Sequence, residues 1–123
     1  MTTATIATYR DLIVWQRAIE LVEAVYKLSG HFPDDERFGL TSQIRRAAVS
    51  VASNIAEGKS RGTRKEYRQF LVIAYGSGAE VETQVVISKK LHLTNDANYT
   101  HVDLLLNEVM KMLRALMYRL KTS

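Results

Sequence analysis

The side chains able to do chemistry in this sequence fall into two groups, a line of small polar and acidic residues and a cluster of bases. Ser50, Ser53, Asn54 and Glu57 precede a glycine-containing turn, and Ser77, Glu80, Glu82, Thr83 and Gln84 follow it. Ser77, Glu80 and Gln84 stand at i, i+3 and i+7, which is one face of a helix. Carboxylates such as Glu57, Glu80, Glu82 and Glu108 can hold paired metal ions between helices when they come with Glu-x-x-His spacing. The positions three before His31, His92 and His101 are Leu28, Lys89 and Asn98, so no metal is expected. No serine has a histidine at a register that would make a nucleophile–base pair. Gly58-Lys59-Ser60 ends like a phosphate-binding P-loop, but the loop's first glycine would fall at Ser53, and the segment closes a helix instead of leaving a strand. The polar line therefore reads as packing and hydrogen bonding. Catalysis would need Asn54, Glu57 and Glu80 gathered in one deep pocket.

The second group points to anions. Lys59, Arg61, Arg64, Lys65 and Arg68 crowd one turn against a single acid, Glu66, a local excess of +4 that equals the formal net charge of the whole chain. Arg64 and Arg68 share a helix face, Arg45 and Arg46 lie upstream, and Tyr67 has a ring able to stack on a base. Such a cluster attracts phosphates without reading sequence. These five bases are the expected nucleic-acid-binding residues, with RNA or a ribonucleoprotein as the partner.

The elements that must position these groups follow from spacing. Apolar residues recur with helical period throughout, and no stretch alternates as a half-buried strand would. Breaks at 29–35, 58–63 and 93–100 leave helices at 11–29, 37–58, 64–92 and 101–121. Short connections make successive helices antiparallel, an all-α up-down-up-down four-helix bundle. Asp34 or Asp35 is the expected cap of the second helix, and Gly39 makes its opening turn irregular. Thr63-Arg-Lys-Glu66 matches a capping box. Pairing across the 58–63 turn sets Asn54 level with 67–71 and Ser50 with 71–75. Ser77 and Glu80 then lie nearest Arg45 and Arg46, and an arginine–Glu80 pair is the expected core of a polar network of Arg45, Arg46, Asn54, Glu57, Ser77 and Glu80. Gly76 and Gly78 inside the third helix each imply close approach of another backbone.

The totals bound the rest. One domain spans 1–123, with 1–8 expected to be disordered; there are no cysteines and hence no disulfide framework. The N-terminus lacks a signal-peptide pattern, and no uninterrupted apolar run approaches a bilayer's width, so a cytoplasmic protein without membrane contact is expected. The first helix carries two apolar stripes, Leu12, Trp15, Ile19, Val22, Tyr26 and Val14, Ala18, Leu21, Val25, Leu28, and the fourth is similar. That surplus favours a homo-oligomer.

Asp11-Leu-x-Val-Trp-Gln-x-Ala18, Phe32-Pro33, Leu40-Thr-Ser-Gln-Ile-Arg-Arg-Ala-Ala48, Ser53-Asn-Ile-Ala-Glu-Gly58, Gly76-Ser77 and Glu80-Val-Glu-Thr-Gln84 together resemble the bacterial four-helix-bundle family encoded in intervening sequences of large-subunit ribosomal RNA. The resemblance runs from about Tyr9 to Lys121. It implies a bundle that assembles as a ring, commonly a homopentamer. A distant relative, the accessory variability protein of retroelements, is a basic pentameric barrel that binds reverse transcriptase and nucleic acid. Gly78 replaces a larger residue common in the family, and Ser50-Val51-Ala52 replaces Ser-Ile-Pro. The resemblance supplies no catalytic residues or cofactor. The expectation is a non-enzymatic oligomeric scaffold for RNA or a ribonucleoprotein, the alternative a protein–protein adaptor.

Overall fold

The computed structural model describes residues 7–121, and among them the fold is all-α. Four helices, α1 (Ile13–Ser29), α2 (Leu40–Ser60), α3 (Arg64–Lys90) and α4 (Thr100–Lys121), are joined by short connections that include 3₁₀ turns at Asp34–Glu36 and Asp96–Tyr99. Each helix packs on the next, and α4 closes on α1. Contacts along α3 and α4 run in opposite senses, from Arg64–Arg119 through Arg68–Met117 and Tyr75–Arg114 to Lys89–Asp103.

Two helix starts differ from the periodic reading for a local reason. Tyr9–Asp11 is a 3₁₀ turn closed by a Thr8–Asp11 capping box, and extended Leu12 delays α1 to Ile13. Ala7 and Thr8 both donate backbone N–H to Asp11 Oδ2; residues 1–6 of the stretch expected to be disordered lie outside the described residues. Asp34 and Asp35 do not cap α2, because they are wound into their own 3₁₀ turn. Gly39, at φ −110° and ψ −114°, separates that turn from α2, and Glu36 Oε1 accepts the Leu40 N–H at 3.2 Å in place of a cap. His92, at φ 53°, ends α3 in left-handed geometry.

One stripe of α1, Val14, Ala18, Leu21, Val25 and Leu28, is buried against Ile44, Val51 and Ile55 of α2, Leu71 and Val81 of α3, and Val109 and Leu113 of α4. The expected apolar surplus on α4 is mostly core filling: Leu105, Leu106 and Met110 are buried, and Met112, Leu116, Met117 and Leu120 pack against the core. On α1 only part of the second stripe is left out, at Ile19 and Tyr26. The larger exposed apolar face lies on α3, at Val72, Ile73, Val86 and Ile87, and continues to Leu91 just past its end, with Ile73 50% and Leu91 58% exposed. This helix is 27 residues long with a mean hydropathy of 1.2 over its most apolar stretch, so by length and composition it could cross a bilayer. Counting uninterrupted apolar runs misses it, because Ser77, Glu80, Glu82 and Gln84 break the run.

Candidate nucleic-acid interface

The basic cluster is held by the way α2 meets α3. A Cβ at Gly58 would stand 2.7 Å from Phe70 Cβ and 3.1 Å from the Tyr67 oxygen, so the two helices touch where only glycine fits. Gly62 then turns the chain at φ +94°. Thr63 opens α3: its Oγ1 accepts the Glu66 N–H at 3.1 Å and donates to Glu66 Oε1 at 3.0 Å, a variant of the expected capping box.

The five bases divide by what they touch. Arg68 Nε donates to the Met117 main-chain oxygen at 3.1 Å, and Arg64 Nη2 to that of Arg119 at 3.3 Å. Both therefore grip the carboxyl end of α4, the negative pole of its helix dipole. Lys59 Nζ lies 5.4 Å from the Tyr67 ring centroid, and Arg61 Cζ lies 5.0 Å from that of Phe70. Arg61 also reaches Glu57 at 3.9 Å across one exposed helical turn. Lys65 is exposed and makes no ion pair among the described residues. Bonding to neutral carbonyls and rings leaves the charge of Lys59, Arg64 and Arg68 in place, while Glu57 offsets part of that of Arg61. Tyr67 does not stand free to stack on a base. Its hydroxyl is buried without a hydrogen-bond partner, and that burial pushes its pKa up, partly opposed by the charge of Arg119.

The polar line is re-paired relative to expectation. Ser50 Oγ meets Ser77 Oγ at 2.9 Å, about one turn further along α3 than level pairing places it. Helical side chains lean toward their own N-terminus, so in helices of opposite sense the meeting partners lie at unequal distances from the turn. Asn54 Nδ2 closes this cluster by donating to the Ser50 carbonyl at 2.8 Å and lying 3.0 Å from Ser50 Oγ. Arg45 turns the other way, to Ser29 Oγ at 2.7 Å and over the Tyr26 ring at 4.6 Å, so it does not pair with Glu80. Arg46 and Glu80 line one open groove of about 540 Å³ between α2 and α3 but form no ion pair. Glu57 and Asn54 line a separate shallow depression with Ser53 and Ser60, so Asn54, Glu57 and Glu80 do not share a pocket. The close backbone approach expected at Gly76 and Gly78 is not what the glycines serve here: at Gly78 the side chain of Met110 from α4 occupies the space of a Cβ, and Gly76 faces open space.

Several arrangements carry no clear sequence signal. Arg17 bridges Glu20 at 2.7 Å and Glu108 at 2.8 Å, which raises its pKa. Arg114 donates to Tyr75 Oη at 2.8 Å, which raises its pKa likewise. Phe38 is 92% exposed at the rim of the α2–α3 groove, and Gln84 Oε1 is buried there without a partner. Among the described residues no three histidines or carboxylates stand close enough to hold a metal.

Comparison with known proteins places the fold. A crystal structure of a protein of unknown function from the S23 ribosomal protein family of Bacteroides thetaiotaomicron superposes with a TM-score of 0.78 at 20% identity, covering 85% of this chain and 98% of that one. At that identity the likeness speaks for the fold alone. No curated protein matches the chain. The family pattern described as 23S rRNA-intervening sequence protein matches residues 10–115, and the chain belongs to that family.

Proposed function

We propose that this chain is a non-enzymatic, cytoplasmic scaffold of four up-down-up-down helices. Copies assemble into a ring, and the Lys59–Arg68 turn contacts RNA or a ribonucleoprotein. The observation that carries the reading is a local charge excess of +4 at one turn, equal to that of the whole chain, in a family tied to ribosomal RNA intervening sequences. Lys59, Arg61 and Lys65 are the residues best placed to meet phosphates, since Arg64 and Arg68 also anchor α4. The exposed apolar face of α3 supports assembly, because an unpartnered stripe of this kind is costly in water. In a pentamer five turns would present about +20 charges.

Filter binding to a structured RNA tests the assignment. Changing Lys59, Arg61 and Lys65 to glutamate should abolish retention while the helical circular dichroism stays unchanged. Undiminished binding removes the site. A second reading follows from the same α3 face, which suits a protein partner: an adaptor of this kind would capture that partner equally well after nuclease treatment.

A further inference from the structure

We propose that the groove between the first half of α2 and the second half of α3 binds a guanine base, carried by a nucleotide or by an unpaired position in RNA. For its biological source the inference rests on the RNA reading above, and it requires subunit contacts to leave Glu80 open, although Glu80 lies between Ile73 and Ile87 on α3. The groove lies some four helical turns from the basic turn and uses different residues. Its chemistry is set by groups left without partners. Arg46 and Glu80, of opposite charge, line the same groove and pair neither with each other nor with another described ion. Gln84 is 9% exposed, and its amide oxygen has no hydrogen-bond partner, a burial that ordinarily costs stability unless a ligand compensates. Phe38 is almost entirely exposed at the rim, with Arg37 Cζ 5.8 Å from its ring centroid.

Guanine is the base whose edges match this set. Its N1–H and exocyclic amine are adjacent donors that a carboxylate such as Glu80 accepts together. Its O6 and N7 are acceptors that a guanidinium such as Arg46 reads in parallel. Single-stranded bases stack on exposed aromatic rings, the position Phe38 holds, and Arg37 beside it supplies charge for the attached phosphate. Adenine presents an acceptor at N1 where guanine presents a donor, so its lone pair would face the Glu80 carboxylate. The groove, about 540 Å³, is open and mostly polar and has room for a single base.

The test is a titration of the isotope-labelled full chain with 5′-GMP and 5′-AMP, following the Gln84 side-chain amide. GMP should bind roughly ten-fold tighter than AMP and shift that signal. Glu80→Gln should erase the preference, and Phe38→Ala should weaken both nucleotides; both positions are exposed, so neither change threatens the core. The pentanucleotides UUGUU and UUAUU distinguish the source. A guanine preference with tighter binding than GMP assigns RNA, and the same preference without that gain assigns a free nucleotide. Equal affinities for GMP and AMP overturn the proposal, as does a preference that survives Glu80→Gln. So does a silent Gln84 at about 10 mM nucleotide, the result expected if a protein or second copy covers the groove. Alanines at Lys59, Arg61 and Lys65 should leave the GMP preference intact, which separates failure here from failure of the basic turn.

Discussion

Arg68 donates from Nε to the main-chain oxygen of Met117 at 3.1 Å, binding the start of α3 to the last turn of α4. The bond sets a full positive charge against the negative pole of α4. One side of the basic cluster thus stabilises the fold, while the other side faces solvent. Arg68→Ala should lower unfolding stability by about 1–2 kcal/mol. Lys65→Ala should leave the urea midpoint essentially unchanged. Equal losses from the two changes would deny this division of labour.

The glycines make an opposed pair. Gly58→Ala forces a Cβ into Phe70 and the Tyr67 carbonyl and should destabilise by about 1–3 kcal/mol. Gly76→Ala meets nothing within 4 Å in the single subunit and should gain about 0.5–1 kcal/mol from helix propensity. Urea denaturation of both variants measures the contrast. A destabilising Gly76→Ala would show that another backbone approaches that position in the assembly.

Tyr67 should give the fold an alkaline limit. Its pKa is raised by burial above the ordinary phenol value of about 10, so at higher pH the unfolded chain loses its proton first. Stability is therefore whole below pH ~10 and falls as pH rises toward and through the folded value. Tyr67→Phe should flatten that decline. It should also cost little at neutral pH, because the hydroxyl has no hydrogen-bond partner to lose. Thermal melts at pH 8 and near 11 compare the two proteins.

The four helices were legible because their apolar residues keep helical period from Val14 to Leu28 and from Leu105 to Leu120. The starts of α1 and α2 were not, since a 3₁₀ turn such as Asp34–Glu36 leaves no periodic mark and its acids look like caps. The exposed apolar face was expected on α1 and α4 and lies mainly on α3. Periodicity counts stripes without saying which neighbour covers them, and α3 inverts the usual rule by burying Ser77 and Gln84 while exposing Ile73 and Val86. The basic turn was legible as a charge excess. That Arg64 and Arg68 would turn to α4 depends on where α4 ends in space, which linear spacing does not encode.

If the α3 face joins copies, charges replacing its apolar contacts on either side of Glu80 should separate them. Ile73→Glu with Ile87→Glu alters two exposed positions and should leave each subunit folded. Light scattering should report an oligomer for the parent chain and a 14.0 kDa particle for the variant. A parent chain that is already monomeric at micromolar concentration would remove the ring.

The central claim is most directly measured by the salt dependence of RNA affinity. Removing one cation that neutralises a phosphate should flatten the plot of log affinity against log salt by about 0.7–0.9. Alanines at Lys59, Arg61 and Lys65 should therefore reduce the slope by about two to three per turn engaged. An unchanged slope and affinity in the triple variant would contradict the account.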